Sequence, residues 1–518
     1  MSDATNNTIC DASFDPLRQD LTLGIVGTGL MGRGIAQIAA QAGLHVRLCD
    51  SREGAAGEAR EAIAQTFAKL AAKGKLSAAE ADAATTRLGI ADGLEQLAGC
   101  HLVVEAIVEN LEAKRGLFRQ LEDIVGDDCL LATNTSSLSI TAIAATCRVP
   151  ARVGGFHFFS PVPLMKIVEV IDGLLTAPWV GPALTGLAKR LGHTPVRAAD
   201  TPGFIVNHAG RGYGTEALRI LGEGIADFAT VDRILRGAAG FRMGPCELLD
   251  MTGLDVSQPV MEAIYDQYYQ EPRYRPSPIT RQRLAAGLLG KKSGRGFYTY
   301  QEGKAVPVPA PPMPASPALP IWVSPRHPAA HARVSVMLAE RGMPIDSGER
   351  PGDNSVCLVL PMGEDATSSA LAEDLDPRRT LALDPLYLEG HLTLMTTPLT
   401  APAARDAAWA ALAVDGTPVS VIHDSPGFVA QRVVAMIVNI ACDMAQQRIA
   451  TPEDIDCAVT LGLAYPRGPL ALGDALGAAT VLAILEGLHD FYRDPRYRPS
   501  PWLIRRARLG VSLLTPEN

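Results

Sequence analysis

Three glycines near the start of the chain constrain it more than any other feature. Gly27, Gly29 and Gly32 form G-x-G-x-x-G between a short apolar run, LTLGIV (21–26), and a helical pattern, IAQIAAQAG (35–43). A second apolar run, HVRLCD (45–50), follows and ends in Asp50. Strand, glycine turn, helix, then a strand ending in an acid is an arrangement that binds a dinucleotide. The first glycine permits the tight turn, the second lets the backbone approach a pyrophosphate, and the third lets helix lie on strand. The N–H groups that open the helix then face the phosphates. Leu30 and Met31 complete the phosphate-facing loop. NAD or FAD suits such a site. Asp50 favours NAD over NADP, because a carboxylate accepts hydrogen bonds from a ribose diol and repels a 2′-phosphate. Arg52 lies close enough to weaken that preference.

Further strands are expected at LVVEAIV (102–108), CLLATNT (129–135), RVGGFHFFS (152–160) and KIVEVID (166–172). They alternate with helical segments, as in a parallel, doubly wound α/β sheet. An Ala-rich stretch with alternating charges, Glu53 to Glu80, reads as one or two solvent-exposed helices standing off that sheet. The NAD-binding Rossmann domain is therefore placed at 20–199. Residues 200–300 are helical in period and form an all-α domain, and 301–320, carrying VPVPAPPMPASPALP, form an extended linker.

At 518 residues the chain is too long for one core, and its second half echoes the first. DTPGF at Asp200 returns as DSPGF at Asp424, and GFRMGPCELLD at Gly240 as AYPRGPLALGD at Ala464, both 224 residues on. EPRYRPSP at Glu271 returns as DPRYRPSP at Asp494, now 223 on. Residues 424–518 are thus a second helical domain. Residues 321–423 hold apolar runs such as SVCLVLP (355–361) and VSVIHD (419–424) but no glycine-rich phosphate loop, and read as a degenerate Rossmann-like domain. A net charge of -9 argues against a general nucleic-acid binder, so any phosphate site must be local. The N-terminus MSDATNNTICDASFDPLRQD lacks a basic region followed by an apolar one, and no later segment is a membrane span, which points to a cytoplasmic protein. The 9 cysteines include no C-x-x-C pair, so reduced thiols and no metal site are expected.

VGGFHFFSPVP places His157 at the carboxyl end of a strand, where open α/β sheets bind their ligands. Glu169 sits in KIVEVI, among Ile and Val, where an unpaired charge is costly. His157 is its nearest candidate partner in sequence. A carboxylate on one ring nitrogen would fix the tautomer and stabilise the imidazolium formed when the other nitrogen takes a proton. On the residues alone two readings stand, a catalytic dyad and a satisfied core histidine.

GFHFFSPVPLMKIVEVI also resembles the signature of the 3-hydroxyacyl-CoA dehydrogenases. The resemblance runs through the glycine loop, VVEAIVENLEAK (103–114), NTSSLSI (134–140), DTPGFIVN (200–207) and GKKSGRGFY (290–298), and so covers residues 20–300. It implies NAD-dependent oxidation of an (S)-3-hydroxyacyl-CoA, with His157 as general base and Glu169 as its orienting partner. Ser136 and Asn207 would bind the substrate oxygen, and Glu109, Lys114 and Asn134 would line the nicotinamide and ribose. The blander readings make Ser136 a helix cap, Asn207 a polar first-turn residue, and Glu109 with Lys114 a solvated pair. For the CoA phosphates the nearest basic patch is Lys69, Lys73 and Lys75. In length the chain resembles the longer bacterial members, including those acting on 3-hydroxyadipyl-CoA in phenylacetate breakdown, beside the family's wider place in β-oxidation. Two departures stand out: Ser160 replaces the family's usual Asn, and Gln431 stands in the second copy where Asn207 stands in the first. The family implies a homo-oligomer, with the internal duplication replacing one dimer contact. The alternatives are an NAD-dependent dehydrogenase of a CoA-free hydroxy acid, of the type related to lambda-crystallin, and a non-catalytic NAD-binding protein.

Overall fold

The computed structural model describes residues 14–517. Residues 1–13 of the N-terminal stretch MSDATNNTICDASFDPLRQD, with Cys10, lie outside the described residues. The chain divides into two compact units, one reaching Val206 and including Arg448–Gly462, the other comprising Asn207–Gln447 and Leu463 onward.

The first unit is built on one eight-stranded sheet, with β1 Thr22–Val26, β2 His45–Cys49, β3 Leu88–Ile90, β4 Leu102–Glu105, β5 Leu130–Thr133, β6 Val153–Phe158, β7 Ile167–Asp172 and β8 Thr194–Ala199. Their order across the sheet is β3-β2-β1-β4-β5-β6-β7-β8. Most neighbours are parallel, but β7 runs antiparallel to β6, which corrects the wholly parallel reading of KIVEVID. The reason is chain length. A parallel return needs a crossover of a dozen or more residues, and only 159–166 separate the two strands. The edge strand β8, unforeseen because TPVRAA lacks a clean apolar pattern, then pairs parallel with β7 after the helix Val180–Arg190.

The excursion after Asp50 is two helices, Ala55–Ala72 and Ala78–Thr86, the second opened by a capping box between Ser77 and Glu80. They do not stand off the sheet. Ala59, Ile63 and Phe67 are buried in the sheet's own core, and Phe67 is fully enclosed. Burying side chains of that size contributes roughly 1.5–3 kcal/mol each, enough to dock an otherwise polar helix.

In the second unit, helices follow Asn207 up to the short hairpin of β9 (Tyr300–Gln301) and β10 (Lys304–Ala305). No helix or strand occurs between Ala305 and Ile321. Six strands then form a second sheet: β11 Ile321–Val323, β12 Ile345–Asp346, β13 Val356–Val359, β14 Thr380–Leu383, β15 Leu392–Thr396 and β16 Val419–Ile422. The order is β12-β11-β13-β14-β15-β16, antiparallel only between β14 and β15. SVCLVLP and VSVIHD supply β13 and β16. The helix Ala430–Gln446 is buried on every face from Ala430 to Ala445, as a helix at the centre of a helical cluster must be.

Candidate active site

The site is built at the carboxyl ends of β1, β4, β5 and β6. Gly27, at φ +93°, makes the turn that leaves β1, and a Cβ there would lie 2.6 Å from the carbonyl oxygen of Ala106. A Cβ on Gly32 would lie 1.8 Å from the carbonyl oxygen of Gly27, so only glycine lets the helix Leu30–Gln41 start this close to the strand. Gly29 has open space where its Cβ would be, and no side chain caps the helix it opens. Leu30 is exposed at the turn while Met31 packs toward the core. Free N–H groups and a clear approach fit a pyrophosphate.

Asp50 holds the loop from the side. Its Oδ2 accepts from the backbone N–H and the hydroxyl of Thr28 at 2.7 and 2.8 Å, and its Oδ1 accepts from the N–H of Arg52. Burial works to raise its pKa, but the bonds from Thr28 and Arg52 outweigh it and keep the group below the usual carboxylate range. The Arg52 guanidinium is turned to Glu58 at the surface, away from the carboxylate that would meet the ribose. The NAD preference therefore loses the counterweight that the sequence suggested.

His157 and Glu169 face each other directly across the β6–β7 ladder. Nδ1 of His157 lies 2.6 Å from Oε2 of Glu169, and both side chains are buried. The other carboxylate oxygen accepts from the N–H groups of Ile205 and Val206 at 3.0 and 2.8 Å. With Nδ1–H donated to Glu169, Nε2 is left as the basic nitrogen. Phe159 packs on the imidazole at 4.4 Å between ring centres.

Glu109 gathers the loop after β5. Its Oε1 accepts from the hydroxyls of Thr135, Ser136 and Ser137 and from the N–H groups of Ser136 and Ser137, all within 3.2 Å. Burial raises its pKa, but the Thr135 hydroxyl and the Lys114 cation lead a set of interactions that bring it below the usual value. The capping role considered for Ser136 falls to Ser139, which accepts from the N–H of Ala142. Asn134 accepts from the N–H of Phe158 at 2.8 Å and so ties β5 to β6. Lys114 is no solvated residue. It is 1% exposed and donates to Glu105 at 2.5 Å, with Glu109 at 3.3 Å. Glu105 was missed in the sequence because it sits inside the apolar run LVVEAIV, where nothing along the chain marks Lys114 as its partner. It also accepts from Thr133 and from the N–H of Ile107.

Lys69 and Lys75 line a cavity of about 700 Å³ with Arg33, Lys166, Gln37 and Leu164. Lys73, at the end of the helix Ala55–Ala72, does not line it, whereas Arg33 and Lys166 do without having been singled out. Asn207 opens the second unit, in the short helix Val206–Ala209, and its carbonyl accepts from Arg211. Ser160 is exposed just beyond β6.

The model of the 3-hydroxyacyl-CoA dehydrogenase NAD-binding domain matches residues 22–201, and that of the C-terminal domain matches 203–300 and again 427–512. The chain belongs to the 3-hydroxyacyl-CoA dehydrogenase family. Among curated members of this family, the 3-hydroxyadipyl-CoA dehydrogenase of Escherichia coli K12 is 39% identical over 94% of this chain and 98% of its own length. A probable 3-hydroxybutyryl-CoA dehydrogenase of Deinococcus radiodurans is 42% identical over 54% of this chain and all of its own. A crystal structure of 3-hydroxybutyryl-CoA dehydrogenase from Escherichia coli K12 superposes with a TM-score of 0.82 at 36% identity, over 95% of this chain and 99% of that one. As a 3-hydroxyacyl-CoA dehydrogenase family member the protein takes NAD, and the NAD-binding domain is the one matched at residues 22–201.

Proposed function

We propose that the protein oxidises an (S)-3-hydroxyacyl-CoA to the 3-oxoacyl-CoA, with His157 as general base and Glu169 as its positioning partner. The observation that carries this is the buried pair at 2.6 Å, locked by two backbone N–H groups at the end of the sheet that bears the glycine loop. Glu169 holds the imidazole in one tautomer and balances the charge it gains as Nε2 takes the proton of the 3-hydroxyl. Ser136 and Asn207 orient that oxygen. Glu109, Lys114 and Asn134 shape the nicotinamide end. NAD⁺ held by the glycine loop and Asp50 would supply the hydride acceptor for C3.

Arg33, Lys69, Lys75 and Lys166 offer cations to the CoA phosphates, in place of the trio first considered. The full-length likeness to the 3-hydroxyadipyl-CoA enzyme supports a short acyl chain ending in a carboxylate. Residues 321–423 are read as a degenerate Rossmann-like domain that no longer binds cofactor, and 424–518 as a second, structural helical domain.

The test is NADH formation with 3-hydroxyadipyl-CoA, 3-hydroxybutyryl-CoA, longer 3-hydroxyacyl-CoA thioesters and CoA-free hydroxy acids. Turnover confined to the free acids refutes the reading. His157→Gln should lower kcat by roughly 10²–10⁴-fold while NAD⁺ affinity holds; equal loss of both would point to misfolding instead.

A further inference from the structure

A cavity of about 880 Å³ opens in the second unit, between the helix Phe228–Gly237, the edge of the second sheet at β16, and the linker around Met313. All of its lining residues belong to the second unit, whereas the glycine loop and the His157 pair belong to the first. Its polar lining includes Arg233, Arg236, His391 and Ser420, and no carboxylate lines it. Phe241, Trp409 and Met313 supply apolar wall.

The cavity is closely constructed at its base. A Cβ on Gly237 would come within 2.7 Å of the Cβ of His391, and one on Gly390 within 2.5 Å of the carbonyl oxygen of Gly237. Two glycines thus bring the helix end down onto the sheet and set His391 beneath the arginines. His391 bonds Ser420 through Nε2 at 2.9 Å, and burial with the nearby Arg233 charge pushes its pKa down to about 4. It is a neutral hydrogen-bonding group there, and Arg236 pairs with Glu247 at 3.3 Å, so the uncompensated positive charge rests on Arg233. Arg233 donates through Nη2 to Thr230 at 2.7 Å and through Nη1 to the carbonyl of Val308 at 3.3 Å. Its Nε is buried without a partner, and no carboxylate among the described residues lies within ion-pair distance of it. A partly desolvated cation without a counter-ion is unfavourable, and a ligand carboxylate would complement it with charge-assisted hydrogen bonds.

We infer that this cavity binds an amphipathic organic anion, with a single carboxylate head at Arg233 and an apolar body against Trp409, Phe241 and Met313. The size is in the range of small-molecule pockets, and apolar walls with a few convergent donors are their usual lining.

The test uses the full-length protein and decanoate, with decanol and decylammonium as charge controls, by titration calorimetry and tryptophan fluorescence. Decanoate should bind saturably at one site, and the two controls more weakly. Arg233→Met should weaken it about 10- to 100-fold, the range for a hydrogen bond to a charged group. Ala413→Trp, which fills the cavity from the end of the helix Pro402–Ala413, should abolish binding, and both variants should keep wild-type NADH-forming activity. Binding that survives both substitutions lies in the substrate cleft and overturns the proposal. So does equal affinity for decanol or decylammonium, or the lack of any saturable decanoate binding.

Discussion

A histidine and a glutamate twelve residues apart become hydrogen-bonded partners only because a short loop turns β7 back along β6 and sets them opposite each other. Glu169 then spends its second oxygen on two backbone N–H groups, which fixes its orientation as firmly as its charge. Glu169→Gln keeps an acceptor for those groups but cannot balance an imidazolium. Its kcat is expected to fall by roughly 10²–10³-fold, with KM for NAD⁺ nearly unchanged and the pH–rate profile displaced. An unaltered profile would mean that Glu169 is only a packing residue. At β14 the corresponding ladder position is taken by Asp384, whose backbone N–H bonds the carbonyl of Thr393 on β15. Burial pushes its pKa up to about 6, against the bonds from Gln431 and the N–H of Leu386 that pull it down. Its Oδ2 and the Tyr387 hydroxyl are both buried without a partner. A carboxyl whose folded pKa lies above its unfolded one adds stability that is complete below the unfolded value and lost as pH rises through about 6. Asp384→Asn should therefore stabilise the protein at pH 8 by about 3 kcal/mol, converging on the wild type near the ordinary carboxylate pKa. Parallel stability–pH curves for the two proteins would refute the assignment.

Whole elements show the same economy of position. β4 ends in Glu105, which is fully buried and bonded to Lys114, Thr133 and the N–H of Ile107, so the strand end, the following loop and the helix Leu111–Ile124 share one charge. Removing only the cation leaves that carboxylate uncompensated. Lys114→Met should cost about 3–5 kcal/mol of unfolding free energy, measured by urea titration, and adding Glu105→Gln should recover much of it. A double variant as unstable as the single one would show that packing, not charge, is at issue. Other devices occur once in each half. Asp200 caps the segment at Ile140 and Thr141 through backbone N–H groups, and Asp424 does the same at Ala366 and Thr367. Arg152 binds the carbonyls of Gly126 and Cys129, and Arg379 those of Gly352 and Ser355. Phe204 and Phe428 both sit in the left-handed region, at φ 46° and 51°.

At the scale of the molecule, one pair of backbone bonds is instructive. Within the first unit the N–H of Ala199, at the end of β8, donates to the carbonyl of Ile449; within the second, the N–H of His423, after β16, donates to Ile225. Donors and acceptors are each 224 residues apart, so each edge strand is completed by the helical segment of the opposite repeat. A fragment of residues 1–305 loses Ile449 and the helix Pro452–Leu463 that follows it. A second copy of the fragment carries the matching Ile225 and Phe228–Gly237. The fragment is expected to sediment as a dimer that binds NAD⁺. A monomer binding NAD⁺ with full-length affinity would show that the edge needs no such cover.

The glycine loop, its acid, the helical period after Asp200, the proline linker and the echoing motifs were legible because each is local: a turn needs glycine, a helix needs its spacing, and a repeat keeps its register. SVCLVLP and VSVIHD were legible as strands for the same reason. The direction of β7, the docking of Phe67, the burial of Lys114 and Glu105, and the lining of one cavity by Arg33 and Lys166 rather than Lys73 were decided by tertiary structure alone. Strand direction follows from where the next strand finds room, and burial from what lies on the far side of a residue. Neither is encoded in a residue's own neighbours along the chain, and both decide which charges must be paired.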